Sequence, residues 1–153
     1  MNFIGRFILV LLIFIFSACS KETIKKSTIK EKSLDAQVLE AYKEGKIALE
    51  EGDVLFAAKK FNEAEILFPQ SKYAPKSALM AAYSYYIQDY YGDSIAELER
   101  FIKIYSNHED LDYAYYLLAI CYYEQIVDEK KDLNSILKSK EIFEILIKKY
   151  PNS

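Results

Sequence analysis

The chain has 153 residues, of which 52% are hydrophobic and 15% aromatic, and its formal net charge at pH 7 is −3. This mild acidity argues against nucleic-acid binding, because nucleic-acid-binding proteins normally concentrate basic side chains on one face. Only four glycines and three prolines occur, while residues with good helix propensity are abundant. The composition therefore predicts an all-α domain.

The first eighteen residues resemble a bacterial lipoprotein signal. Arg6 precedes the unbroken apolar run 7–16, and the small residues 17–18 come directly before Cys19. A positive start, a short apolar core and small residues at a cleavage point are typical of a secretory signal. We therefore expect cleavage before Cys19 and covalent lipid on its sulfur. The alternative is a short membrane anchor, but the run is shorter than the roughly 20 residues that span a bilayer.

Residues 19–33 are predicted to form a flexible tether between the lipid and the folded domain. The segment is rich in lysine and poor in apolar side chains, a composition that does not support a packed core. An alternative use for these lysines is contact with anionic lipid headgroups. Ser20 follows the cysteine, where an aspartate commonly favours retention in the inner membrane, so we expect the outer membrane.

From residue 34 onward, small and large packing residues recur at the spacing of a tetratricopeptide repeat. In the first unit, Gly45 and Ala57 allow two helices to approach, Gly52 makes the turn, Phe61 fills the space between the helices, and Pro69 ends the second helix.

The same register returns 37 residues later, where Ala82 matches Gly45 and Leu98 matches Phe61. Ala119 continues it after another 37 residues, and Ser139 then begins a second helix displaced by about eight residues. The displacement indicates a polar insertion at 127–135.

The pattern predicts a helical-hairpin solenoid of about three repeats, at 34–70, 74–107 and 110–153. The expected helices are 34–51, 54–68, 75–88, 92–105, 110–127 and 136–150.

No catalytic motif is found. His108 is the only histidine, so multi-histidine metal sites are excluded. The acidic residues at 109, 110 and 112 are better explained as the cap of a following helix than as metal ligands. Cys121 lies in an apolar helical run and is expected to be a small buried hydrophobe. We therefore expect no enzyme activity, no cofactor and no metal.

Tyrosine is the most distinctive side chain of the domain. The first helix of each hairpin should line the concave side, where tyrosines offer large amphipathic contact area to an extended polypeptide. Tyr85, Tyr115 and Tyr122 should instead lie between helices. For the tyrosines expected to line the concave side, packing between repeats is the alternative role. The groove candidates are Tyr42, Tyr83, Tyr86, Tyr113, Tyr116 and Tyr123.

Several segments together resemble the BamD family, lipoproteins of the outer-membrane β-barrel assembly machinery. The most specific are Arg100-Phe101-Ile102 and the pattern His108-x-x-x-Asp112-Tyr113-x-x-Tyr116. The lipobox, Tyr42-x-x-Gly45 and residues 68–74 (FPQSKYA) support the resemblance.

The resemblance implies a non-enzymatic scaffold on the periplasmic face of the outer membrane, anchored by lipid. It further implies binding to the periplasmic domains of the barrel subunit BamA, to other lipoproteins of that complex and to unfolded outer-membrane proteins. BamD proteins usually have five repeats, so we expect this chain to be truncated at its C-terminus, with a natural short form as the alternative.

A competing interpretation is a repeat-containing lipoprotein adaptor in cell division or peptidoglycan coordination. Such an adaptor would keep the repeats but has no reason to keep the two specific segments in register. A lipoprotein enzyme with catalytic residues beyond Ser153 is a more remote alternative.

Overall fold

The computed structural model describes residues 32–126 and 133–153. The lipobox with Cys19 and most of the tether lie outside the described residues, as does the insertion up to residue 132.

The described residues form six helices and no strand. Each of the six coincides with a predicted helix, with two corrections: α5 ends three residues early, and α6 begins three residues early, inside the predicted insertion. The helices are α1 Leu34–Glu50, α2 Val54–Leu67, α3 Ala74–Tyr86, α4 Tyr91–Ile104, α5 Leu111–Glu124 and α6 Leu133–Lys149.

Each helix packs mainly against its neighbour in sequence, and α3 also touches α5. This pattern of contacts is that of a solenoid, in which each unit contacts only the next. Hairpin 1 is α1–α2, hairpin 2 is α3–α4 and hairpin 3 is α5–α6. The contact between α3 and α5 places the first helices of hairpins 2 and 3 side by side, as the concave-face prediction requires.

The helix ends follow from local chemistry. The side chains of Ser33 and Asp53 accept backbone N–H bonds at the starts of α1 and α2, which satisfies donors that have no partner within the helix. At its other end, α2 stops at Leu67, two residues before Pro69.

Close approach within hairpin 1 depends on Gly45. A Cβ added there would lie 2.9 Å from two carbons of the Phe61 ring, and that ring is fully buried. The space that a side chain would take at residue 45 is therefore filled by Phe61, as the sequence predicts. In hairpin 2 the equivalent pair is Ala82 and Leu98. Alanine is larger than the glycine of hairpin 1, and leucine is smaller than the phenylalanine, so the pair fills a similar space.

The two described hairpin turns share one backbone conformation. Gly52 has φ +83°, and Asp89, 37 residues later, has φ +59°. Aspartate is among the few non-glycine residues that adopt this left-handed region without a large cost. Its carboxylate also accepts a hydrogen bond of 2.7 Å from the Tyr91 hydroxyl, which fixes the start of α4.

A recurring hydrogen bond confirms the displaced register of hairpin 3. The buried Ser94 hydroxyl donates to the carbonyl of Ala82 at 2.9 Å, and the Ser139 hydroxyl donates to the carbonyl of Ala119 at 3.0 Å. Ala82 and Ala119 are 37 residues apart, whereas the two serines are 45 apart. The eight extra residues therefore lie in the α5–α6 connection.

The largest apolar cluster spans hairpins 2 and 3 and includes Phe101, Leu98, Leu117 and Cys121. Hairpin 1 joins hairpin 2 through two smaller clusters, one around Phe61 and one around Val38. Among the described helices, none combines the length and hydropathy needed to span a membrane.

Gly45→Ala should destabilise the fold, because the new Cβ overlaps the Phe61 ring. Overpacking typically costs about 1–3 kcal/mol, which should outweigh the roughly 1 kcal/mol gained in helix propensity. Urea unfolding followed by circular dichroism measures the difference.

The double variant Gly45→Ala/Phe61→Leu should recover much of the loss, since it copies the Ala82–Leu98 pair of hairpin 2. Gly92→Ala is the control, because nothing lies within 4 Å of a Cβ at that position. A Gly45→Ala variant as stable as Gly92→Ala would contradict the close approach.

Candidate binding groove

Five of the six candidate tyrosines lie on the adjacent helices α3 and α5, and four of them form two ring pairs. The rings of Tyr83 and Tyr86 are 6.3 Å apart, and those of Tyr113 and Tyr116 are 6.4 Å apart. Each pair is spaced i,i+3, which places both side chains on one face of a helix. Tyr113 is 40% exposed and Tyr116 is 47% exposed. We call these four residues the tyrosine cluster.

A pocket of about 340 Å³ opens beside the tyrosine cluster. Its walls are mostly apolar, and its two charged side chains have opposite sign. The lining residues are Lys76, Leu79, Met80, Tyr83, Asp110 and Tyr113. The pocket is large enough for one bulky side chain of a bound polypeptide, with a cation and an anion at its edge to contact polar groups beside it.

Burial raises the pKa values of Tyr86 and Tyr113 above the usual value. For both residues, desolvation is the largest cause, and the neighbouring tyrosines add a smaller repulsion that further disfavours the anionic form. Tyr86 and Tyr113 therefore keep their protons at physiological pH, and their hydroxyl groups can donate and accept hydrogen bonds.

Tyr42 lies apart from the tyrosine cluster. Its ring packs 5.5 Å from Phe61 in an edge-on arrangement and 5.5 Å from Tyr73. Burial is also the main cause of its raised pKa. The structure thus places Tyr42 in the packing between hairpins 1 and 2, where it is half-buried like Tyr83 and Tyr86.

Tyr123 is also separate from the cluster. It is 58% exposed and lines an open depression of about 1110 Å³ on hairpin 3, together with Phe143, Lys140 and Ile147. Tyr123 lies seven residues after Tyr116, so it shares that face of the helix and extends it toward the end of α5.

The tyrosines assigned to packing are half-buried. Tyr115 stacks 6.1 Å from Tyr150, and the Tyr122 hydroxyl donates to Glu99 on α4 at 3.0 Å. Tyr115 and Tyr122 both contact the large apolar cluster. Tyr85 is half-buried as well.

The segment from His108 to Tyr116 forms the entry to α5. His108 packs edge-on against Phe101 at 5.7 Å, and its Nδ1 accepts a 3.2 Å hydrogen bond from the backbone N–H of Asp110. Asp110 occupies the N-cap position, but its side chain makes no capping hydrogen bond. Of the acidic residues, Asp112 accepts the backbone N–H of Tyr113 in the first turn at 2.7 Å, so it satisfies a donor at the helix start as expected. These contacts fix the start of the helix that carries Tyr113 and Tyr116.

Cys121 is fully buried, as expected. Its thiol donates to the Ser94 hydroxyl at 3.3 Å, and burial raises the pKa of the thiol. The side chain serves as a small core residue with one polar contact. Within residues 32–126 and 133–153, no group of three or more potential ligands could hold a metal ion.

The sequence analysis did not identify a polar network between hairpins 1 and 2. Arg100 on α4 reaches Glu65 on α2, which is buried. The only signal in the sequence was an acidic residue within the buried stripe of α2, directly after Ala64. Arg100 had been noted only as part of a family segment.

The fold is that of a helical-repeat protein. Residues 34–153 match the model of the YfiO family, described as an outer membrane lipoprotein. The match covers every described helix, and the chain belongs to this family.

Named relatives support the family membership. The chain is 33% identical over 129 residues to an outer membrane protein assembly factor BamD of Caulobacter vibrioides, covering 84% of this chain and 42% of the relative. A BamD of Rickettsia prowazekii is 33% identical over 128 residues, covering 84% and 51%. A BamD of Neisseria meningitidis is 27% identical over 148 residues, covering 90% and 55%. The chain thus spans about half the length of these relatives.

Tyrosine ionisation gives a direct test of these environments. The hydrogen bond to Asp89 raises the pKa of Tyr91 to about 12, and burial followed by the Glu99 bond raises the pKa of Tyr122 to about 12. Asp89→Asn should therefore lower the pKa of one tyrosine in an absorbance titration at alkaline pH. The native chain should contain tyrosines that lose their protons only near pH 12, and the urea-unfolded chain should contain none.

These pKa values also predict how stability depends on pH. Unfolded tyrosines lose protons near pH 10, whereas the folded chain retains them, so the free energy of unfolding should fall as pH rises from about 10 to 12. Titration of every tyrosine near pH 10 in the folded protein would contradict the assigned contacts.

Proposed function

We propose that this chain is a non-enzymatic, lipid-anchored scaffold that takes part in assembling β-barrel proteins into the outer membrane. Membership of an outer membrane lipoprotein family and likeness to several BamD assembly factors support this proposal. The observation that carries it at the residue level is the tyrosine cluster beside an apolar pocket, in which Tyr113 and Tyr116 are exposed and Tyr83 and Tyr86 are half-buried.

The groove would act by holding unfolded barrel polypeptide. Tyrosine rings provide flat apolar contact, and each has only two side-chain torsions to fix on binding. Their hydroxyl groups can form hydrogen bonds to the backbone of an extended strand whatever its sequence. The pocket beside Tyr83 and Tyr113 would receive a bulky side chain, while Lys76 and Asp110 contact flanking polar groups.

The proposed partners are the periplasmic domains of BamA, other lipoproteins of the same complex and unfolded outer-membrane proteins. The relatives' name as assembly factors supports a place in such a complex. The proposed location is the periplasmic face of the outer membrane, with lipid on Cys19 as the anchor and no cofactor.

Tyr113→Ser/Tyr116→Ser should weaken binding of an unfolded barrel peptide by about tenfold or more, because two exposed aromatic contacts are lost. The peptide should copy the final strand of an outer-membrane barrel protein and carry a fluorophore for anisotropy measurements. Helical content should be unchanged, because both side chains are exposed.

The matched control is Tyr90→Ser, which removes a tyrosine of similar exposure, 43%, from the turn between α3 and α4. Equal losses in the control and the double variant would refute the groove. Capture of peptidoglycan-synthesis or division proteins in place of barrel peptide would favour the adaptor alternative.

Cys19→Ala should leave the precursor uncleaved and without lipid, because the modification requires the thiol. Metabolic labelling with a radioactive fatty acid, together with gel mobility, measures both effects in cells. Cys121→Ala is the control and should be labelled normally, since that thiol is buried in the domain. Normal processing of Cys19→Ala would rule out the lipobox.

A further inference from the structure

A polar network on the second helices of hairpins 1 and 2 joins the two units. The guanidinium of Arg100 on α4 donates from Nη1 to Oε1 of Glu65 at 2.7 Å and from Nη2 to Oε2 at 2.6 Å. Glu97 Oε2 accepts from Nε and Nη2 of the same guanidinium at 2.9 and 2.7 Å. The Tyr105 hydroxyl donates to Glu65 Oε1 at 2.7 Å. We call Glu65, Glu97, Arg100 and Tyr105 the latch.

The latch is geometrically specific. Its central pair is bidentate, an arrangement that fixes the orientation as well as the distance of the two helices. The Glu65 side chain is only 7% exposed, and its two oxygens accept three hydrogen bonds from the other hairpin. A carboxylate in this setting tolerates little displacement, because any lost bond leaves a buried charge without compensation.

The joint between hairpins 2 and 3 has no counterpart of the central pair. In the repeat register, Ile102 stands where Glu65 stands, and Ile145 stands where Arg100 stands. Both isoleucines are half-buried, and Ile102 contacts the large apolar cluster that joins these hairpins. Apolar contacts are non-directional, so the stability of this joint depends on the apolar area that it buries. Hairpin 1 instead meets hairpin 2 through two smaller clusters and the latch.

Hairpin 1 also supplies the neighbouring part of the concave surface. Lys46 occupies the position of Tyr83 in the repeat register and is exposed. The position of Lys46 relative to the pocket between α3 and α5 therefore depends on the angle between hairpins 1 and 2. A polypeptide that extends from the pocket onto hairpin 1 would respond to this angle, whereas one confined to the pocket would not.

We propose that the latch is a positioning element that sets the angle of hairpin 1 and thereby the length of groove that a bound polypeptide can use. Glu65 and Arg100 are its central residues, and Tyr105 supports them. The latch itself follows from the geometry of the joint, while its effect on polypeptide binding rests on the proposed function.

The test variant is Glu65→Gln/Glu97→Gln/Arg100→Gln, which removes the three charges together and so leaves no unpaired ion in the latch. The control is Glu44→Gln/Lys60→Gln, since that pair joins α1 to α2 inside hairpin 1 at 2.8 Å.

Spin labels at two joints report the distances between hairpins. Labels at Lys59→Cys and Ala96→Cys, two exposed positions on α2 and α4, report the distance between hairpins 1 and 2. Labels at Ala96→Cys and Lys140→Cys, the latter an exposed position on α6, report the distance between hairpins 2 and 3.

Pulsed electron resonance on the purified full chain should show a shifted or broadened distance between hairpins 1 and 2 in the latch variant alone. The distance between hairpins 2 and 3 should be unchanged in every variant. Unchanged distances in the latch variant would overturn the proposal, as would equal broadening in the control. A broadening at both joints would also overturn it, because that result indicates general loosening of the fold.

Two fluorescent peptides then test the effect on binding. A long peptide that copies two strands of a barrel protein should lose about fivefold or more in affinity for the latch variant, within the usual range of coupling between sites. A six-residue peptide that covers only the pocket should bind both proteins equally. Equal affinity of the long peptide for both proteins would refute the link to binding.

If neither peptide binds the unmodified chain, the proposed function fails, and the distance measurements still decide whether the latch sets the joint.

Discussion

The close approach of paired helices is the constraint on which the rest of this structure depends. A small residue on the first helix of each hairpin faces a large one on the second, as Gly45 faces Phe61 in hairpin 1. Two helices cannot bury all of their own apolar surface, so each hairpin packs its remaining apolar side chains against the next hairpin. A stack with one concave side results. The first helices α3 and α5 then lie side by side, which brings the tyrosine cluster together from residues about thirty apart in sequence.

The two joints of this stack are chemically different, and the difference bears on function. Hairpins 2 and 3 share one apolar cluster, and the pocket between them is correspondingly well supported. Hairpins 1 and 2 are joined by two apolar clusters and also by the latch, whose hydrogen bonds are directional. Under the proposed function, the bound polypeptide would meet a constant pocket and a neighbouring surface whose position the latch sets.

Much of the fold was predictable because helix packing leaves a periodic signal in sequence. Gly45, Phe61 and Pro69 have their predicted roles, and Ser139 marks the displaced register correctly. The site was predictable only in part. Tyr83, Tyr86, Tyr113 and Tyr116 come together, whereas Tyr42 packs against Phe61 and Tyr73, and Tyr123 lies about two helical turns beyond Tyr116.

Register alone could not separate these tyrosines, because the neighbour of a side chain across a joint depends on residues far away in sequence. The latch could not be predicted from the sequence for the same reason, since Glu65 and Arg100 carry no local signal of their pairing.

Site-specific photo-cross-linking in living cells tests the central claim most directly, with a photoreactive phenylalanine analogue in place of Tyr116. The account predicts covalent adducts with newly made outer-membrane barrel proteins, and few such adducts from the same analogue in place of Ile66 on α2. Adducts formed only with peptidoglycan-synthesis or division proteins would contradict it.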